Sequence, residues 1–322
     1  MITVLWAGFI VLVIFLLALD LGVLNRKEHV IGIKEAFLWS AFWIFLSLLF
    51  SAAVYFIYEN HLFDIGLYAS GTISGHQALI QYLTGYIIEK SLSLDNIFVI
   101  ALIFGYFKVP AIYQHRVLFW GIVGAVVLRG VMILAGAVLI NNFSWIVYVF
   151  GGFLIITALR MLKSNHEEID PDKSVLVRLA RKLYPVTKDF HGKNFFVKVN
   201  NKKAATPLFI ALLVVESSDI LFAVDSIPAI FAITRDPFIV FTSNIFAVLG
   251  LRALYFALAA MITKFYYLKY SLVIILLYVG VKMLLTYYYH INSLISLAII
   301  IIVLSTGIIA SMIKSKNDSY IK

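Results

Sequence analysis

Residues 3–23, 37–57, 82–104, 117–139, 143–162, 208–230, 238–261, 270–288 and 292–312 each form an apolar run. About 20 such residues are what an α-helix needs to cross a bilayer core. Inside lipid only helices and closed barrels satisfy their own backbone groups, and no run shows the residue-by-residue alternation of a barrel strand. The runs predict nine transmembrane helices in an all-α polytopic membrane protein, a single transporter-like domain over 1–322. The first run has no basic residue before it and no small-residue cleavage site after it, so it reads as a retained span. Only 13% of the residues are charged and mean hydropathy is +0.98, against about 25% charged in a soluble domain. An ordinary soluble fold and a disordered chain are both excluded. The chain has no cysteine, which excludes a disulfide scaffold, a thiolate metal site and thiol redox chemistry.

The basic residues sort by loop. Arg26, Lys27 and Lys34 follow the first span, and Lys108 and Arg116 follow the third. The segment 163–206 holds ten Lys and Arg, Lys264 and Lys269 follow span seven, and Lys314, Lys316 and Lys322 lie in the tail. The alternate connections hold only Arg235. Basic loops stay in the cytoplasm, which predicts an inner bacterial membrane protein with its N-terminus outside and its C-terminus inside. The net charge of +9 is thereby explained by topology, and no nucleic-acid partner is expected. The 163–206 loop carries an acidic stretch, 166–172, then an amphipathic basic run through Arg178, Arg181 and Lys182. It reads as a solvated linker against anionic headgroups, with regulation or metal sensing by the acidic stretch as the alternative.

The charges left inside the spans follow an internal repeat. Glu89 precedes Asp95 by six residues, and Asp219 precedes Asp225 by six. With Asp95 set on Asp225, Ile97 and Ile100 match Ile227 and Ile230. Leu128-Arg129 then corresponds to Leu251-Arg252, and Arg160-Met161-Leu162 to Lys282-Met283-Leu284. Each repeat has three spans, an odd number, so the halves 82–162 and 208–288 are predicted to be inverted. Inverted repeats of this kind build secondary transporters with a midplane substrate site.

Six acids fall within spans: Asp20, Glu89, Asp95, Glu216, Asp219 and Asp225. A charge at a helix centre costs about 2.5–3.5 kcal/mol on insertion scales, so such groups pair, face a wet cavity or bind an ion. Lys90, Arg129, Arg252 and Lys282 also lie within spans and could fix packing or couple charge movements; ion pairing suits Arg129, Arg252 and Lys282 better than it suits the clustered acids. Asp20 lies near the end of span one and could sit at the interface. The acids stand among Ser93, Asn96, Ser217, Ser218 and Ser226, an all-oxygen set suited to Mn²⁺, Mg²⁺ or Ca²⁺. No histidine neighbours the acidic motifs, which disfavours zinc, copper and nickel. Six residues turn a helix by about 600°, so acids at that spacing converge only where a helix unwinds. Pro228, inside span six, is a candidate for such a break or for a packing kink.

Three motifs, TGYIIEKSLSLDNIFV (84–99), VVESSDILFAVDSIPAIFAIT (214–234) and DPFIVFTSNIFAVLGLRALYF (236–256), resemble the TerC family of integral membrane proteins, in its Alx-like branch. The resemblance extends from Ala18-Leu19-Asp20-Leu21 to Tyr288-Tyr289-His290-Ile291. It implies a nine-span protein of Mn²⁺ efflux and homeostasis, historically linked to tellurite resistance, and kin to cation exporters built on inverted three-helix repeats. It also implies Glu89, Asp95, Glu216, Asp219 and Asp225 as the acidic metal positions, with Asn96 and Ser226 beside them. Ser217 departs from the apolar residue expected after Glu216 and leaves metal preference open. The resulting expectation is a divalent-cation exporter with Mn²⁺ as the moving ion, no resident cofactor and no enzymatic activity. An intramembrane aspartyl protease lacks its Gly-x-Gly-Asp context here, and no G-x-x-x-x-G-K-[ST] loop is present for a nucleotide-driven pump. The remaining alternative is a non-transporting membrane partner that assists secretion or metalation of exported proteins through 163–206.

Overall fold

The structure is a computed structural model. It describes every residue except 1, 23–30, 69–70, 144, 164–173, 188, 200–201, 259–266, 286–287, 290 and 321–322, and leaves undescribed the side chains of 21, 22, 68, 71, 95, 163 and 315–320. The acidic stretch 166–172 therefore lies outside the described residues.

Helices occupy the predicted apolar runs: α1 (Ile2–Gly22), α2 (Ile33–Glu59), α3 (Gly75–Tyr106), α4 (Ala111–Asn142) and α5 (Ile146–Lys163). After a short α6 (Val175–Leu183) come α7 (Pro207–Phe231), α8 (Pro237–Leu249), α9 (Leu251–Leu258), α10 (Leu268–Leu285) and α11 (Ser293–Tyr320). Among the described residues seven helical stretches are long and apolar enough to cross a membrane: α1, α2, α4, α7, α8 with α9, α10 and α11. The 32-residue α3 carries Glu89, Lys90 and Asp95, and the apolar part of α5 is shorter, Ile146–Leu162.

The helix starts follow local chemistry. Ser74 and Gln77 form a reciprocal capping box at the head of α3. Asp236 caps α8 by accepting from the Phe238 and Ile239 N–H groups, and Pro207 and Pro237 open α7 and α8 where a missing N–H costs nothing. Span seven, expected as one helix, is interrupted at Gly250. There the Lys90 ammonium donates to the Ala247 carbonyl at 3.1 Å, satisfying an acceptor in the last turn of α8. A Cβ on Gly250 would lie 2.8 Å from Lys90 Nζ and 3.1 Å from Trp43 Cβ, so only glycine lets both approach. Neither α3 nor α7 is broken at its acidic motif, and α7 continues through Pro228.

The all-helical expectation needs a small correction outside the spans. Two antiparallel hairpins occur, β1 (Leu67–Tyr68) with β2 (Gly71–Thr72), and β3 (Phe196–Val199) with β4 (Lys202–Ala205). The second belongs to the 163–206 loop, whose described part is thus a packed helix and hairpin, not a bare linker.

At the centre stands α8, wrapped by α2, α3 and α4 and buried along its whole length. Its Thr242, Ser243 and Asn244 are polar, and lipid offers such side chains no partner, which favours enclosure by other helices. Trp6 and Phe9 of α1 and Phe50 of α2 close over it against Phe238, Phe241 and Phe246, with the Phe50 and Phe246 rings 4.7 Å apart. Around this axis α3 packs on α8, α4 on α7, α3 on α7, and α5 on α10. Large apolar side chains such as Val11, Leu38, Val127 and Ile302 face outward, as a bilayer solvent permits.

The α5–α10 contact is backbone against backbone. A Cβ at Gly280 would meet Ile155 Cγ1 at 2.8 Å and the Gly151 carbonyl at 2.9 Å, whereas one at Gly152 meets nothing within 4 Å. Gly280→Val should destabilise the protein by about 1–3 kcal/mol through overpacking. Gly152→Ala should be neutral or slightly stabilising. Thermal unfolding in detergent compares the two; equal midpoints would contradict the close-contact account.

Candidate functional site

The predicted site residues gather where α3, α4, α7 and α8 meet. Arg129 of α4 is fully buried at this junction. Its guanidinium grips Asp219 of α7 with two parallel bonds, Nε to Oδ2 at 3.0 Å and Nη2 to Oδ1 at 2.7 Å. The same group donates through Nη1 to Glu89 of α3 and to Asn244 Oδ1 of α8, the latter at 3.2 Å. Asn244 Nδ2 then donates to Glu89 Oε2 at 2.9 Å, and Ser93 Oγ approaches Glu89 Oε1 at 3.4 Å. Two carboxylates and one guanidinium thus share an apolar interior, and an amide and a hydroxyl engage the remaining lone pairs of Glu89. The planar fork of arginine suits this role, because one side chain can satisfy carboxylates on two helices.

Glu216 sits one turn before Asp219 on α7. Its carboxylate lies in a notch over Gly124 of α4, in the space a Cβ there would take. Its Oε2 is buried without a hydrogen-bond partner, as are Asn96 Oδ1 of α3 and Ser226 Oγ of α7. Buried oxygens without partners are rare, and each calls for a physical reason. Asn96, Ser218, Asp219 and Arg252 line one half-open cavity whose remaining wall is apolar, including Gly121, Phe222 and Leu251. Asp225 lies further along α7 and accepts from Thr157 Oγ1 of α5 at 3.0 Å.

The candidate residues therefore form three groups on α3 and α7, not one cage. Glu89 and Asp219 meet at Arg129; Glu216 rests on α4; Asp225 turns toward α5. Among the described residues no three acidic or histidine side chains converge on a point. The Asp95 side chain, a central residue of the sequence reading, lies outside the described residues. The other charges of the spans are engaged as well. Asp20 is buried and paired with Arg252, which also meets His115 Nε2 at 2.8 Å. Asp20 is therefore shielded within the protein by its partner. Lys282 donates to Ser296 Oγ of α11 at 2.9 Å.

Sequence reasoning missed Asn244, Thr157 and His115 as members of these networks. Asn244 had a legible signal, since it is a lone amide in an otherwise lipophilic segment and would need a buried partner. Thr157 and His115 had none, because each is defined only by the helix opposite.

The family profile described as "Integral membrane protein TerC family" matches residues 74–319, which contain the whole cluster. The chain belongs to the TerC family. Among its relatives are "Uncharacterized membrane protein STKORF319" of Myxococcus xanthus, 51% identical over 97% of this chain and 93% of the relative, and an "Uncharacterized membrane protein" of Rickettsia bellii, 45% identical over 96% and 97%. "Putative membrane-bound redox modulator Alx" of Escherichia coli K12 is 44% identical over 98% of this chain and 96% of its own length. No solved structure matches the chain significantly. The family and the apolar helices together make this a multi-pass membrane protein.

Arg129→Gln would leave Glu89 and Asp219 buried without their counter-charge. It should cost about 3–5 kcal/mol of stability, read as a lowered unfolding midpoint in detergent. Adding Asp219→Asn should restore part of that loss. A single variant as stable as the parent would show that the cluster does not hold the bundle together.

Proposed function

We propose that this protein is a secondary transporter that exports divalent metal cations, Mn²⁺ foremost, across the bacterial inner membrane. Among the described residues, five buried side-chain oxygens on α3 and α7 lack a hydrogen-bond partner, two of them being Gln81 Oε1 and Tyr86 Oη. The observation that carries this reading is that the other three, Asn96 Oδ1, Glu216 Oε2 and Ser226 Oγ, belong to the acidic motifs. Asn96 shares a cavity with Asp219, and the set contains only hard oxygen donors. Oxygens of this kind suit Mn²⁺, Mg²⁺ and Ca²⁺. The moving ion is substrate, and Asp95, Asp225, Glu89, Glu216, Asp219, Asn96 and Ser226 are the ligands it would meet in sequence.

Arg129 gives this route its first step. Its guanidinium holds Glu89 and Asp219 as a tethered cation would, so an entering divalent ion gains those carboxylates by displacing an arginine. A divalent ion would neutralise both carboxylates, where the single positive charge of Arg129 leaves the trio one negative in excess, and the released guanidinium would need another acceptor. The nine-span inverted repeat is supported by the packing pattern. Interchanging the halves carries the α3–α8 contact into α4–α7 and returns α3–α7 and α5–α10 to themselves. The basic loops support a cytoplasmic C-terminus.

A second reading rests on the packed α6 and β3–β4 hairpin, which give the 163–206 loop a surface for proteins of secretion or metalation. The redox role in the printed name of the E. coli relative would reach a cysteine-free chain without a thiol couple, through metal supply.

The test is metal entry into proteoliposomes that enclose a metal-sensitive dye, across Mn²⁺, Ca²⁺, Mg²⁺, Zn²⁺ and Fe²⁺, with and without a pH gradient. Mn²⁺ flux should exceed that of protein-free vesicles. Loss of a group that merely supports a metal ligand costs about 10–100-fold in affinity, and Asp95→Asn and Asp225→Asn should each lose at least as much. Unchanged flux in both would overturn the ligand assignment. Gly124→Ala, which displaces the Glu216 carboxylate, should reproduce the transport defect of Glu216→Gln in a protein that still folds.

A further inference from the structure

The short α6 has three faces with three different characters. Val177 and Ala180 are buried against α7. Val175, Leu179 and Leu183, four residues apart and so on one stripe, are 68%, 53% and 64% exposed. Arg178 and Lys182, again four apart, stand exposed along the edge of that stripe. The helix is fixed to α7 by a hydroxyl pair, Ser174 Oγ to Ser217 Oγ at 2.7 Å. Ser217 donates its own proton to the Leu213 carbonyl at 2.7 Å, so Ser174 is the donor between them, and Ser174 also accepts from Val177 N–H as the N-cap. Ser217 is the residue that replaces the expected apolar side chain, and it directly follows Glu216.

We propose that α6 is a docking surface for the anionic face of the bilayer, and that it transmits lipid charge to the site helix through Ser174 and Ser217. An apolar stripe bordered by basic residues inserts into acyl chains while its cations meet headgroup phosphates. A soluble partner would leave the stripe without reason to run beside the basic edge. Lys198, Lys202 and Lys203 of the β3–β4 hairpin add exposed positive charge to the same loop. The link to α7 makes this more than an anchor, because the helix it grips is the one that carries Glu216, Asp219 and Asp225. The regulatory part rests on the transport reading; the lipid contact does not.

The absence of cysteine allows a single label. Leu179→Cys carrying an environment-sensitive fluorophore is reconstituted in phosphatidylcholine vesicles containing a doxyl-lipid quencher, with and without phosphatidylglycerol. Each basic residue near a charged surface contributes about fivefold in affinity for it. Quenching should therefore strengthen with phosphatidylglycerol in the parent and lose that dependence in Arg178→Gln/Lys182→Gln. A water-exposed, unquenched label in both lipids would overturn the proposal. So would a label that is shielded from water in vesicles yet untouched by the lipid quencher, the signature of a second copy or a protein partner. In parallel, Mn²⁺ entry should rise with phosphatidylglycerol in the parent and lose that dependence in Ser217→Ala. Flux that is equally dependent on phosphatidylglycerol in Ser217→Ala would overturn the coupling. Absence of flux in every lipid would overturn the transport reading, while the fluorescence still decides the docking.

Discussion

A guanidinium in the interior of an apolar bundle is the constraint on which the remaining architecture depends. Arg129 ties α4 to α3 and α7 through two carboxylates and to α8 through Asn244. Each of these charges alone would be costly in lipid. Together they define one arrangement of four helices, since any register shift separates a donor from its acceptor. In a bilayer, apolar side chains have as good a solvent in the acyl chains as in each other, so polar contacts and close packing specify which helices associate.

Small residues supply the second half of that specification. Gly151 and Gly280 let α5 and α10 meet main chain to main chain, Gly124 makes room for the Glu216 carboxylate, and Gly250 admits Lys90 and Trp43. In each case the absence of a side chain on one helix sets the position of a group on another. The charged network and these notches cooperate. The notches fix distances between helices, and the network fixes their rotation and register.

Much of this could be read from the chain itself. The apolar runs located the helices because about twenty mostly apolar residues have few alternatives, and the paired acids pointed to α3 and α7 as the helices that carry the candidate site. The break at Gly250 was hidden because residues 238–261 read as one span, and the Lys90 ammonium that meets the last turn of α8 comes from a different helix. The counter-charge of Asp20 was hidden in the same way, because Arg252 lies far along the chain and only the fold brings it opposite. The geometric rule that acids six residues apart converge only where a helix unwinds describes α7: the helix is unbroken, and Asp219 turns to Arg129 while Asp225 turns to Thr157. Periodicity assigns a side chain to a face, but only the neighbouring helix decides whether that face meets a counter-charge or a cavity.

The interruption at Gly250 leaves a polar group for another helix to satisfy. Gly250 keeps right-handed helical angles and its carbonyl accepts from the Leu254 N–H, so the chain passes from α8 into α9 without leaving helical geometry. The Ala247 carbonyl, in the last turn of α8, is met by the Lys90 ammonium. Beyond it, Arg252 of α9 and Asp219 of α7 both border the cavity, and each already has its counter-charge, in Asp20 and in Arg129. The cavity is thus edged by two buried ion pairs, and any charge entering it competes with a partner already in place.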